Sequence, residues 1–196
     1  MKITQNFNRN KLAICVPCRD QVHSVFTYHL VKLIQYCEQI KLPVNILMET
    51  GSLISKQRQE LAEDAIKSGA THILWLDSDM TFPPTIAETL ISHNLDIVGC
   101  NYSTRSMPRK GVAYTNVGDW NSWIRPENIS PRLQEVAAVG MGCILTKTSI
   151  FPKLEKPWFE VSWVSKYGVF IGEDFYFCEK AINAGYKILI DTVVIR

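Results

Sequence analysis

Residues 72–80 read HILWLDSDM, and this stretch fixes the character of the chain. Ile73 to Leu76 are four consecutive apolar residues, the pattern of a strand covered on both faces. Asp77 and Asp79 stand where that strand leaves the core. Two carboxylates one residue apart at a strand's C-terminal end form an oxygen-ligand site for a hard divalent cation, which in turn binds a diphosphate. The expectation is transfer chemistry on a nucleotide-activated substrate.

Strands and helices alternate on either side of this stretch. Upstream, Leu12 to Val16 reads as a short buried strand ended by Pro17, and Gln21 to Ile40 carries apolar residues at a helical period until Leu42 and Pro43. Val44 to Met48 is a second strand. After Gly51 a helix is expected to about Ser68, with Leu61, Ala62, Ala65 and Ile66 on one face and Gly69 at its end. Downstream, Pro83 and Pro84 suit the first turn of a helix that points Ile86, Leu90 and Ile91 inward, and Asp96 to Cys100 is a fourth strand. Short connections between alternating elements imply a mostly parallel central sheet flanked by helices, with ligands at the C-terminal ends of its strands. Sites are therefore expected at Pro17 to Asp20, Glu49 to Ser52 and Asp77 to Asp79.

Beyond Cys100 the alternation breaks. Residues 101–135 are rich in Pro, Gly, Ser and Asn without sustained periodicity and read as a long excursion. Val136 to Thr146, VAAVGMGCILT, reads as one apolar strand, whose Gly140 and Gly142 let a ligand or another backbone come close. Gly172, Glu173 and Asp174 open a helix that ends at Gly185. Acidic residues there complement the helix dipole in any case. Lys187 to Ile190 and Val193 to Ile195 form the last apolar segment.

With 196 residues, 46% of them hydrophobic and 20% charged, the chain has ordinary globular composition and room for one well-buried domain. A net charge of +2 gives no sign of a nucleic-acid partner. No apolar run is long enough to cross a membrane, and the polar start MKITQNFNRN has no signal-peptide core. A cytoplasmic protein is expected, in the host cytoplasm if the chain is viral. Cys15 and Cys18 form a C-x-x-C string, which marks a redox pair, half of a zinc site, or two packing residues at a strand end. With Cys15 inside an apolar run and no second such string, packing is favoured.

Four segments carry a resemblance to a known family. They are AICVPCRDQ (13–21), SKQRQELAEDAIKSGATHILWLDSDM (55–80), VAAVGMGCILTKTSIF (136–151) and GVFIGEDFYFCEKAINAGYKILID (168–191). Together they resemble the GT-A-fold glycosyltransferases of the family 2 type, especially its short phage and bacterial members. The resemblance implies a single domain over 1–196, with a Rossmann-like nucleotide-binding half over about 11–100 and an acceptor half over about 101–196. It implies a metal-dependent glycosyltransferase that moves a sugar from a nucleotide-diphospho-sugar, with UDP as the carrier, to a hydroxyl of a glycan or other acceptor.

By the same resemblance Asp79 binds Mn²⁺ or Mg²⁺ directly and Asp77 assists or reaches the ribose, with Ser78 between them in the donor-binding set. Arg58 matches a basic position near the diphosphate, and Lys56 is a weaker candidate on the same turn. Pro17, Arg19, Asp20 and Glu49 match the base and ribose pocket. Asp174 is implied as the general base of an inverting transfer and Glu173 as a holder of the acceptor, assignments that can be exchanged. Trp158, Trp163, Trp120 or Trp123 could stack on acceptor sugars or serve only packing. The chain departs from the family pattern at METGS (48–52), where consecutive aspartates are common, and it stops at Arg196, before the position of a usual metal-binding histidine. Two other functions fit the residues: nucleotidyl transfer on a related fold, which lacks its Gly-rich phosphate loop here, and sugar or nucleotide binding without catalysis.

Overall fold

The computed structural model describes residues 9–193 apart from Ser106, Asn128 and Tyr167. The first eight residues of the polar N-terminal stretch, and residues 194–195 of the last apolar segment, lie outside the described residues. The elements run β1 (Leu12–Cys18), α1 (Ser24–Gln39), β2 (Val44–Thr50), α2 (Ile54–Lys67), β3 (His72–Leu76), α3 (Ile86–Ser92) and β4 (Ile97–Cys100). Then follow β5 (Ala113–Tyr114), β6 (Leu133–Val136), β7 (Ala138–Val139), β8 (Cys143–Lys147), a 3-10 turn (Thr148–Lys153), β9 (Ser162–Val164), β10 (Val169–Ile171), α4 (Glu173–Asn183) and β11 (Ile188–Asp191).

One seven-stranded sheet organises these elements in the order β2-β1-β3-β8-β4-β11-β6. β2, β1, β3, β4 and β11 point the same way, while β8 and β6 run against their neighbours. The sheet is thus mainly parallel and flanked by helices, as expected, with β8 wedged between β3 and β4. Period-2 alternation divides the core. Leu12, Ile14 and Val16 of β1, with Leu74 and Leu76 of β3, pack against Phe26 and Leu33 of α1 and Ile86 and Leu90 of α3. Ala13 and Cys15, with Ile73 and Trp75, face α2 and α4 on the other side through Leu61, Ala62, Ala65, Phe177 and Ala181. Both cysteines of the C-x-x-C string are buried free thiols on this one strand, in agreement with packing.

Three local expectations are corrected. The stretch 136–146 is not one strand: Gly140 and Gly142 interrupt it, so β6, β7 and β8 join different neighbours. The glycines admit the Tyr102 side chain as well as neighbouring backbone: a Cβ at Gly142 would lie 2.4 Å from the Tyr102 hydroxyl oxygen and 3.0 Å from Asp77 Oδ2, and Asp77 N–H reaches Gly142 O while Gly140 N–H reaches Val112 O. Pro83 and Pro84 precede α3 instead of forming its first turn. The excursion 101–135 is also partly ordered, since β5 pairs with β7 and Asn101, buried, binds the backbone of Val112, Ala113 and Ile124. Helix ends behave as read: Gly69 and Gly185, just past α2 and α4, have φ of +75° and +88°, the left-handed turn that glycine adopts without a Cβ penalty.

Candidate functional site

The C-terminal ends of β1, β2 and β3 open on a common cleft of about 460 Å³ lined by Pro17, Arg19, Gly51, Ser52, Gln57, Asp77, Ser78, Asp79 and Arg105. Three segments expected to hold sites therefore meet in space. The reason is topological: parallel strands deliver their exits to one edge, and the loops that follow them line the crevice. Gln57, not anticipated, stitches two of the exits together, its buried side-chain amide donating to Cys18 O at 2.6 Å and Glu49 O at 3.1 Å. Asp20 and Glu49 stand beside the cleft rather than on its lining. Glu49 takes part through its backbone carbonyl, and both carboxylates act on the neighbouring Cys18 thiol, which burial first and then their charges push upward.

A second cleft of about 640 Å³ shares Asp77, Asp79 and Arg105 with the first and adds Met80, Thr81, Tyr102, Thr104, Arg109 and Val112. Its floor is set by the start of β8. Asp77 N–H donates to Gly142 O at 3.1 Å, and Gly142 N–H donates to the Tyr102 hydroxyl at 2.7 Å. Burial above all, then the Asp77 charge, holds the Tyr102 phenol well above its ordinary pKa, with Asp174 adding in the same direction. Tyr102 is thus a neutral hydroxyl between two acidic groups from opposite ends of the sequence.

Arg58 joins those ends. It lies on α2 three and four residues before Leu61 and Ala62, on the helix's apolar face, and is 2% exposed. Its Nη2 donates to Asp77 Oδ1 at 2.9 Å and its Nε to Glu173 Oε1 at 3.0 Å, while the guanidinium sits 5.7 Å from the Trp75 ring centre. Burial works against its charge, and the facing carboxylates Asp77 and Glu173 outweigh that, keeping its pKa above the usual arginine value. Arg58 belongs to neither cleft lining. Two of its donors are turned onto protein carboxylates, which gives it a positioning role, while its Nη1 is buried without a hydrogen-bond partner. Lys56 is exposed and pairs with Glu60.

Glu173 and Asp174 open α4. Asp174 Oδ1 accepts a hydrogen bond from Phe175 N–H at 2.8 Å. Burial, reinforced by the Glu173 charge and opposed by that hydrogen bond and by Arg58, raises the Asp174 carboxyl to about 6. Trp120 stacks on Phe175 with ring centres 5.7 Å apart, and Tyr114 meets both rings edge-on, so an aromatic group stands beside Asp174. Of the other tryptophans considered for sugar stacking, Trp158 is core: it packs on Phe151 and donates to Leu154 O. Trp123 is half-buried. Trp163 is exposed and pairs with Phe170 across the β9–β10 hairpin.

The carboxylate oxygens suit a hard cation. Asp79 Oδ2 is buried without a well-formed hydrogen bond, and the Arg105 guanidinium presses against it. A buried carboxylate left in that condition calls for a positive partner. Among the described residues no set of three His, Cys, Asp or Glu side chains is placed to hold a metal. Two carboxylates completed by water and substrate phosphate is nonetheless a common way to hold Mg²⁺. Asp77 and Asp79 fit that mode.

Comparison with known proteins adds the following. A family model described as Anp1 matches residues 44–138, which run from β2 through β7 and include Arg58, Asp77 and Asp79. No curated protein sequence matches the chain significantly. The solved structure of A197 from STIV is similar over 92% of this chain and 81% of its own, with 17% identity and a TM-score of 0.59. The two share a fold. A glycosyltransferase involved in glycosylation of the major capsid of PBCV-1 aligns over 76% of this chain and 69% of its own, with 12% identity and a TM-score of 0.40. Among the described residues no helix is long and apolar enough to cross a membrane.

Proposed function

We propose that the chain is a glycosyltransferase that moves a sugar from a nucleotide-diphospho-sugar, with UDP as the favoured carrier, to an acceptor hydroxyl, on a GT-A type of scaffold. The observation that carries this is the Asp77–Arg58–Glu173 bridge. It couples the acidic pair at the end of β3 to the acidic start of α4, two motifs nearly a hundred residues apart. The match to Anp1, a glycosyltransferase-related family, over the segment that holds Arg58, Asp77 and Asp79 supports the same conclusion.

In this mechanism the donor lies in the cleft formed by the ends of β1, β2 and β3, its base and ribose against Pro17 and Arg19. Asp79, with Asp77, would hold Mn²⁺ or Mg²⁺, which would offset the charge developing on the diphosphate. Arg58 keeps the Asp77 carboxylate turned toward the cleft and fixes Glu173, which orients the acceptor. The acceptor oxygen bonds to the anomeric carbon as the bond from that carbon to the diphosphate breaks. The diphosphate leaves with the electron pair, and the acceptor's proton passes to the Asp174 carboxylate. A group with a pKa near 6 is ionised at neutral pH yet basic enough to accept that proton. Opposite-face attack makes the transfer inverting.

The test is a thermal-shift screen of nucleoside diphosphate sugars with Mn²⁺, followed by transfer and donor-hydrolysis assays of Asp79→Ala and Asp174→Asn. A donor-specific shift and loss of transfer in both variants are expected. Full activity in both would sink the proposal, and release of pyrophosphate from a nucleoside triphosphate would favour nucleotidyl transfer instead.

A further inference from the structure

The two edges of the central sheet are built differently. At one edge β6 is four residues long, begins just after Pro131 and carries Glu135, whose carboxylate pairs with Lys187 on the surface. Short length, proline and charge are the usual protections of an edge strand. At the other edge β2, VNILMET from Val44 to Thr50, has seven residues with neither proline nor a basic side chain, and Ile46 and Met48 are 38% and 45% exposed. The backbone of β2 is oriented by its bonds to β1. Leu12 N–H donates to Pro43 O, Gly51 N–H donates to Cys18 O, and Glu49 O accepts from the Gln57 amide and the Cys18 thiol. Alternate residues of a strand turn their N–H and C=O to opposite sides. Asn45, Leu47 and Glu49 therefore address β1, while Val44, Ile46, Met48 and Thr50 turn theirs outward. Among the described residues no strand pairs with that outer side.

We infer that β2 is a homodimer interface, at which a second copy of this chain adds its own β2 antiparallel, about a two-fold axis between the two Leu47 residues. Read backwards from Leu47, the strand is its own complement. Ile46 lies opposite Met48 of the second copy, Asn45 opposite Glu49, and Val44 opposite Thr50. Large apolar side chains meet, an amide donor meets a carboxylate, and the two β-branched ends, close in size, face each other. Every such pair forms twice, as a two-fold interface requires. The backbone agrees with this register: Val44, Ile46, Met48 and Thr50 pair only among themselves, and outward-facing residues are the ones that exchange two hydrogen bonds in an antiparallel ladder. A slip of one residue would set outward-facing groups against inward-facing ones. Val44 packs on the core layer beneath α1 and Leu47 on the opposite layer. Ile46 and Met48, on Val44's face, thus form cross-strand pairs on the α1 side of one sheet continuous through both copies. A second copy supplies the palindrome by identity, whereas an unrelated strand has no cause to match it. Thr50 leads directly into Gly51 and Ser52 of the donor-side cleft, so each cleft stands beside the start of the other copy's β2.

Sedimentation equilibrium over roughly 1–100 µM, the range in which a micromolar interface fills, is expected to show the 22.3 kDa chain passing into a dimer. Ile46→Lys and Met48→Glu, both at exposed positions, are each expected to weaken dimerisation about tenfold or more, because one change removes two cross-strand pairs. The double variant sets a lysine opposite a glutamate at both of those pairs and is expected to regain most of the loss. A slip of two residues would instead bring like side chains together and give no recovery. Circular dichroism melting checks that each variant remains folded. Residue-resolved amide hydrogen exchange reads the register in the unsubstituted chain: the N–H groups of Ile46 and Met48 should slow as concentration rises, while those of Leu47 and Glu49, turned to β1, change little. A wild type that stays monomeric throughout that range, or that assembles beyond a dimer, overturns the inference. A dimer that both single variants leave intact, a double variant no better than the singles, or exchange at Ile46 and Met48 that ignores concentration overturns it as well. None of these outcomes depends on sugar transfer, so the proposed function stands or falls separately.

Discussion

Asp77 and Asp79 are one residue apart and each faces an arginine, but the two pairs belong to different physical regimes. The Asp77–Arg58 pair continues inward to Glu173 and has Trp75 beside the guanidinium, so all of its partners are fixed by packing. The Asp79–Arg105 pair lies at the junction of two clefts with its cation in water. Burial turns the first into a structural joint, since removing one member strands an uncompensated charge in low dielectric. In the second the arginine is exposed while the carboxylate is not. The same sequence motif thus carries one carboxylate, 36% exposed, that meets a buried arginine and one, 10% exposed, that faces an exposed arginine.

The largest expected effect comes from breaking the buried side. Arg58→Met leaves Glu173 buried and unpaired, and urea denaturation should show a loss of about 3 kcal/mol or more, with transfer abolished as the two acidic motifs lose their common anchor. A loss below 0.5 kcal/mol, within the range of ordinary surface changes, would mean that the bridge does not hold the site together.

Asp174→Asn comes next and separates chemistry from stability. Removing a general base should lower the turnover rate by roughly 10²–10⁴-fold, measured at saturating donor. Stability should respond in the opposite sense. The folded-state pKa of Asp174, about 6, lies above its ordinary value of 3.8, so the folded protein binds the extra proton. That contribution to stability is fully present below pH 3.8 and is lost as pH rises through 6. The melting temperature of the wild type should therefore fall relative to that of Asp174→Asn as pH is raised from 4 to 7, while wild-type activity rises over the same interval because only the ionised carboxylate accepts a proton. Parallel melting curves of the two proteins across this range would contradict the raised pKa.

A smaller effect probes the floor between the two acidic groups. Gly142→Ala drives a methyl against the Tyr102 hydroxyl and Asp77, and overpacking of this kind costs about 1–3 kcal/mol. The loss should shrink when Tyr102→Phe is combined with it, as the nearest atom is removed. Purely additive losses in this double-mutant cycle would place the strain elsewhere. The smallest effect belongs to the exposed arginine: Arg105→Gln removes an exposed cation but leaves the Asp79 carboxylate, 10% exposed, without it, and should cost about 1 kcal/mol. A larger loss in denaturant titration would show that the two arginine pairs are not so different after all.

Much of the donor-side cleft was legible because a parallel strand announces itself as an apolar run and its exit follows directly. Pro17, Arg19, Ser52, Asp77, Ser78 and Asp79 were found that way, and the cleft collects them. Arg58 carried a readable signal of its own, since a charged residue at helical spacing from Leu61, Ala62 and Ala65 must either leave the apolar face or find a buried partner. Its family match suggested a place near the diphosphate, and the fold sets two of its donors on Asp77 and Glu173. Gln57, Tyr102 and Arg105 gave no such signal. Gln57 works through backbone carbonyls that any residue possesses, and Tyr102 and Arg105 lie in a stretch without periodicity.

The sequence alone determined the alternation of strands and helices through β4, the helix ends at Gly69 and Gly185, and the position of Asp77 and Asp79 at a strand exit. These depend on local periodicity, on glycine's tolerance of positive φ and on chain direction, all of which are properties of short segments. Only the tertiary structure decided that β8 enters between β3 and β4, that the stretch 136–146 divides at its glycines, and that Glu173 reaches Arg58 across 115 residues. Those outcomes depend on which surfaces bury each other and which charges find partners in the interior, and such pairings are set by the whole chain's packing rather than by any segment of it.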